Sequence, residues 1–191
     1  MRSLTFSAVA LAVVLSPVSA RADGFITPFL GYNFGGDSSN CPSLTNCQDK
    51  HANFGVSIGS MGGVVGFEAD IAYAKDFFGT VPTADNNVFT AMANLLISIP
   101  AGPIQPYAVG GVGLVRPHVS LNLRNFSTDN NALGYDLGGG LNAFFAKHAG
   151  VRGDIRHFHT FQDVSVLRLN QVFNGEKLDY WRASLGLILK F

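Results

Sequence analysis

The chain is 191 residues long, room for one domain, and its formal net charge of +0 removes the electrostatic reason to expect nucleic acid or another polyanion as partner. It is 47% hydrophobic, yet no apolar run comes near the roughly 20 residues that a membrane-spanning helix needs, so any crossing of a membrane is made by strands. Only 14% of residues are charged while Gly (22) and Phe (16) are abundant, which suits closely packed strands with an aromatic exterior and makes all-β the expected class.

At the N-terminus, Met1-Arg2 precedes an apolar stretch from Leu4 to Leu15 and small residues at Val18-Ser19-Ala20 and Ala20-Arg21-Ala22. That is the layout of a secretory signal, with cleavage after Ala20 or Ala22. The expected organisation is a signal peptide over 1–22 and one barrel domain over 23–191.

Cys41 and Cys47 follow, close together in a polar stretch. In an exported protein such a pair is expected to form a disulfide rather than a metal site, and so short a loop contributes only about 2 kcal/mol, pinning a loop rather than holding the fold.

From Phe25 onward, stretches of about ten residues alternate with period two. Three gaps between them are short and rich in turn formers: Ser60-Met61-Gly62-Gly63, Pro100-Ala101-Gly102-Pro103 and Ala146-Lys147-His148-Ala149-Gly150. Four are long, running approximately from Gly36 to Lys50, Asp76 to Asn86, Arg116 to Asn131 and His159 to Leu178. Long and short gaps alternate strictly, as in an eight-stranded antiparallel up-and-down transmembrane β-barrel with tight periplasmic turns and four long extracellular loops.

Between Val64 and Lys75, one parity carries Val65, Phe67, Ala69, Ile71 and Tyr73, and the other Gly66, Glu68, Asp70, Ala72 and Ala74. The last strand puts Trp181, Ala183, Leu185, Leu187, Leu189 and Phe191 opposite Arg182, Ser184, Gly186, Ile188 and Lys190. One parity of Val151–Phe158 holds Arg152, Asp154 and Arg156, and one parity of Leu133–Phe145 holds Gly134, Asp136, Gly138, Gly140 and Asn142. The stretch from Ile104 to Gly113 does not declare which parity points inward.

An eight-stranded barrel has an interior only wide enough to be filled by side chains, so small residues and paired charges belong inside. Glu68, Asp70 and Asp136 can face Arg152, Arg156 and Arg182 there, with Asp154 beside the two arginines of its own strand, since an isolated buried charge costs several kcal/mol. Alternation alone also admits a soluble lipocalin-like binding protein with an apolar lumen. The alternating loop lengths, the aromatic residues near strand ends and a chain that stops on Phe191 within a strand favour the membrane.

Thr27-Pro28-Phe29-Leu30-Gly31-Tyr32, Gln105-Pro106-Tyr107 through Gly113, Gly150-Val151-Arg152-Gly153-Asp154-Ile155-Arg156 and the alternating C-terminus together resemble the small OmpA-type outer-membrane β-barrel domains, over essentially the whole mature chain. The ending with Leu187, Leu189 and Phe191 is similar to the signal read by barrel-insertion machinery, which implies that machinery as a partner during biogenesis. The resemblance further implies residence in the bacterial outer membrane, among its lipid and lipopolysaccharide.

Several motifs bear on chemistry. His118-Val119-Ser120 is similar to the His-x-Ser pair of outer-membrane lipid A deacylases, but follows Arg116-Pro117 in a loop-like context with no acidic residue tied to it. His157 and His159 share a parity near an outer strand end without further ligands at metal spacing, and read as rim histidines. Gly110-Gly111-Val112-Gly113 and Gly138-Gly139-Gly140 lack the Lys-Ser/Thr and helix of a phosphate loop. Asn125-Phe126-Ser127 is a glycosylation pattern without a reason for use in bacteria. The loop from His159 to Leu178, with Phe161, Val164, Leu167 and Phe173 among polar residues, offers a contact surface.

The expected function is a non-enzymatic envelope or surface-interaction barrel, without cofactor, metal or catalytic set. The alternatives are a narrow channel, a lipid A hydrolase using His118 and Ser120, and the soluble binding protein.

Overall fold

The computed structural model describes residues 23–36, 51–75, 77, 84–121, 126–129, 131–161 and 177–191. The proposed signal peptide over 1–22 and the pair Cys41 and Cys47 lie outside the described residues.

Strands β1 (Asp23–Phe34), β2 (His51–Gly62), β3 (Val65–Lys75), β4 (Ala84–Ser98), β5 (Ile104–Leu121), β6 (Phe126–Asp129), β7 (Ala132–Phe144), β8 (Ala149–Thr160) and β9 (Asp179–Lys190) form one antiparallel sheet. Each pairs with its chain neighbour, and β1 pairs with β9, so the sheet closes on itself and has no open edge around the barrel wall. The ring counts eight strands because β6 and β7 are one strand interrupted: Val115↔Ala132 and His118↔Asp129 share a single register against β5. The interruption faces Arg116-Pro117, where proline brings no N–H to the ladder.

The third long gap is therefore shorter than the sequence suggests. Alternation carries β5 on to Leu121, and the ribbon of β4, β5 and β6 rises beyond the point where β8 ends and β9 begins. His118 consequently stands within a strand, not in a loop. Likewise β4 begins at Ala84, before the expected Asn87. The tight turns lie at the other end, at Gly63-Val64, Ile99–Pro103 and Phe145–His148, and Gly63 and Gly102 take φ of 78° and 70°, left-handed values that glycine alone adopts without strain.

Facing follows the pleat. Leu30, Phe67 and Leu185 are 70%, 61% and 64% exposed on the outside, while Asp70 and Asp136 are at 0% within. That is the reverse of a soluble barrel, and the apolar-lumen alternative fails on it. β5, undeclared in the sequence, turns Tyr107, Val109 and Val115 inward and Val112 and Leu114 outward.

The inward glycines leave space that charged side chains occupy. A Cβ on Gly138 would collide with the Ile155 carbonyl oxygen and lie 3.0 Å from Arg156 Cγ, so the strand carrying Asp136 approaches β8 closely only because this position is glycine.

Candidate functional site

The inward parities of β3, β7, β8 and β9 bring Glu68, Asp70, Asp136, Arg152, Asp154, Arg156 and Arg182 into one layer at mid-height of the lumen, all buried. Arg156 is its hub: Nη2 lies 2.9 Å from Glu68 Oε1 and 3.0 Å from Asp154 Oδ2, and Nη1 lies 3.4 Å from Asp136 Oδ2 and 3.7 Å from Asp70 Oδ2. Arg152 Nη1 meets Glu68 Oε2 at 2.8 Å, and Arg182 Nη2 meets Asp70 Oδ1 at 2.7 Å.

Neutral groups add hydrogen bonds to the layer. Ser57 donates to Asp70 (2.8 Å), Asn94 to Glu68 (3.1 Å), and Tyr107 and Ser184 to Asp154 (2.7 and 2.8 Å). Arg152 Nε donates to the Tyr107 oxygen at 2.7 Å, and its guanidinium lies over the Tyr107 ring at 4.6 Å. Charge-assisted hydrogen bonds of these lengths are the strong kind, and together they offset the desolvation that each ion alone would suffer.

The layer reaches across the barrel. β3 and β8 stand four places apart in the eight-strand ring, so the contacts of Arg152 and Arg156 with Glu68 cross its diameter. Apolar clusters close both ends. Phe77, Val88, Met92, Val115, Phe158 and Tyr180 pack on the loop side, and Phe25, Met61, Leu96, Tyr107, Val109 and Ile188 on the turn side. A cavity lined by Asn33, Asn53, Thr90, Tyr180 and Arg182 among others has room for about one water. This arrangement fills the lumen across its diameter.

On the outside, at the loop end, β7, β8 and β9 carry a second polar group. His157 Nε2 and His159 Nδ1 each lie 2.9 Å from a different oxygen of Asp179. Trp181 flanks His157 with ring centroids 4.8 Å apart, and Tyr135 flanks His159 at 5.4 Å. The carboxylate enters from β9, twenty residues along the chain, which is why His157 and His159 appear unaccompanied in the sequence.

Other candidate residues separate from the charged layer. His118 takes the outward parity of β5, and the register sets Asp129 opposite His118 and Asp85 opposite Ser120. Acidic positions thus neighbour the pair, contrary to the sequence reading; the side chains of Ser120, Asp85 and Asp129 lie outside the described residues. Leu187 and Leu189 face outward, and Phe191 exchanges backbone hydrogen bonds with Gly24 at 2.9 and 3.0 Å, so the C-terminal residue extends the β1–β9 seam. Tyr107, Ser57, Asn94 and Ser184 were missed as members of the layer; inward parity was the available signal for the last three.

A family model described as the outer membrane protein beta-barrel domain matches residues 6–191. No curated protein sequence matches the chain. Among solved structures, Neisserial surface protein A (NspA) is similar with a TM-score of 0.64 at 16% identity, over 88% of this chain and 97% of that one. The N-terminal β-barrel domain of Pseudomonas aeruginosa OprF is similar with a TM-score of 0.54 at 14% identity, over 90% and 100%. Ail, the attachment invasion locus protein of Yersinia pestis, gives 0.52 at 11% identity, over 88% and 98%. At these identities the likeness concerns the fold.

Proposed function

The chain belongs to the outer membrane protein beta-barrel domain family, and we propose from that premise that it serves as a sealed, non-enzymatic stud in the bacterial outer membrane that displays its long loops for envelope or surface contacts. The carrying observation is the filled lumen: a charged layer spanning the diameter, with an apolar cluster above and below. A barrel of this strand number already lacks the width of an aqueous pore, and ions paired this way are costly to separate. The name of one similar barrel, the attachment invasion locus protein, accords with a role in surface contact. Export through a signal peptide cleaved near Ala20 or Ala22, a Cys41–Cys47 disulfide in the first loop, insertion through the C-terminal strand, and contact with lipopolysaccharide all belong to this reading.

Planar-bilayer recording tests it. The purified barrel adds no discrete conductance steps to a bilayer in which a general porin does; reproducible steps would make the narrow channel the better account.

One observation favours a second reading, hydrolysis of an outer-leaflet lipid: the register opposes Asp129 to His118 and Asp85 to Ser120, bringing acids to a potential nucleophile and base. Under the proposed function, Ser120→Ala leaves the acylation pattern of lipid A in whole membranes unchanged by mass spectrometry. Recovery of an acyl chain in the variant would assign the activity.

A further inference from the structure

The outward cluster of His157, His159 and Asp179 has no part in the sealed lumen. Its three side chains belong to adjacent strands at their loop-side ends, 25%, 26% and 42% exposed. Below it the same outward surface is aliphatic: Leu137, Ile155 and Leu185 are all more than half exposed. Beside and above it stand rings: Trp181 on β9, Tyr135 on β7 and Phe161 just past β8, with Tyr135 and Phe161 centroids 5.5 Å apart. Aromatic residues capping an outward aliphatic band mark the level of lipid headgroups on a membrane barrel.

A polar cluster at that level therefore faces headgroups laterally. From these residues and their placement we infer that His157, His159 and Asp179, framed by Trp181, Tyr135 and Phe161, form a lateral site for the phosphorylated sugar headgroup of an outer-leaflet glycolipid. The inference rests on the membrane location in the proposed function.

Three features point to this class of occupant. The cluster continues the lipid-facing surface, so a lipid already in contact with the aliphatic band below presents its headgroup here. The rings offer faces to the C–H surfaces of a sugar. Asp179 fixes one nitrogen of each imidazole, leaving His157 Nδ1 and His159 Nε2 outside those two bonds. Histidine is the side chain whose charge change falls between pH 5 and 8, and only an imidazolium can hold Asp179 through one nitrogen and donate the other to phosphate. The ionisable groups on the packed elements are Tyr135 on β7, Asp179 on β9 and Lys177 ahead of it; β8 adds none on this face beyond the two histidines, among the described residues. Phosphate is therefore favoured on the acid side, and Asp179 acts as a positioning residue for both donors.

Trp181 is the chain's single tryptophan and touches His157, so its fluorescence reports this site alone. The barrel is placed in phosphatidylcholine vesicles and titrated with bis-phosphorylated lipid A at pH 7.5 and 5.5. The expected result is a saturable change in Trp181 emission whose half-point is about tenfold lower at pH 5.5, equivalent to about 1.4 kcal/mol. In the double variant His157→Gln/His159→Gln that tightening disappears, while heat-modifiable gel mobility shows the variant barrel folded. Lipid A stripped of its phosphates binds without the pH effect. An unsaturable response, equal half-points at the two pH values, or a double variant that still tightens would overturn the inference. So would inorganic phosphate that reproduces the full change, since the lipid headgroup would then be dispensable. Failure of these titrations with a folded, membrane-inserted barrel counts against this site only; a barrel that does not insert counts against the membrane reading itself.

Discussion

Arg156→Ala lowers the stability of the barrel by about 3–5 kcal/mol, the usual cost of removing one partner from a buried ion pair and leaving the other uncompensated. Arg156 is 1% exposed and stands within 4 Å of Glu68, Asp70, Asp136 and Asp154, so its loss takes the arginine from Asp136 and one of two arginines from each of the other three. Urea unfolding in lipid vesicles, followed by heat-modifiable mobility, reads the change as an earlier midpoint. Adding Glu68→Gln to Arg156→Ala recovers part of the loss, because the carboxylate that Arg156 holds at 2.9 Å is then neutral. A variant with an unchanged midpoint would mean that the charged layer does not hold the lumen closed.

Leu185→Arg costs about 2–4 kcal/mol, whereas Leu133→Arg costs about 0–1 kcal/mol, because arginine on the lipid face is penalised according to depth. Leu185 lies near the middle of β9, opposite Leu30 and Gly153, and is 64% exposed; Leu133 is the second residue of β7, at the loop end, and 52% exposed. Equal exposure to water would make both changes mild and alike. The unfolding midpoints of the two variants in the same vesicles give the comparison, and a Leu133 variant as damaged as the Leu185 variant contradicts the membrane depth assigned to β9.

Strand count and facing were legible because a pleated strand alternates with period two and a narrow barrel tolerates only small or paired residues inside. Val64 to Lys75 states both rules in one stretch: Phe67 and Ile71 outside, Glu68 and Asp70 inside. β5 was illegible for the same reason inverted. Its inward Tyr107, Val109 and Val115 serve the apolar clusters that close the lumen, so apolar residues occupy both parities. The hydroxyl of Tyr107 joins the charged layer through Asp154, a partner on β8 that local pattern does not reveal.

Boundaries at the loop end were also poorly marked. Polar composition and Pro117 read as loop, yet the β4–β5 register continues past them to Ala84↔Leu121. Long-range assembly explains the rest: Asp179 reaches His157 and His159 only because β9 lies beside β8 after a long connection, and Asp129 stands opposite His118 only because the hairpin is longer than its composition suggests.

Every role described above requires a closed barrel held in the outer membrane. The direct measurement is gel mobility of the protein in isolated outer membranes, unboiled against boiled. The structure predicts that the protein sediments with the outer membrane and migrates differently once boiled, as a detergent-resistant barrel does; a soluble periplasmic protein with a single mobility would contradict it, and the outward leucines and phenylalanines would then need another cover than lipid.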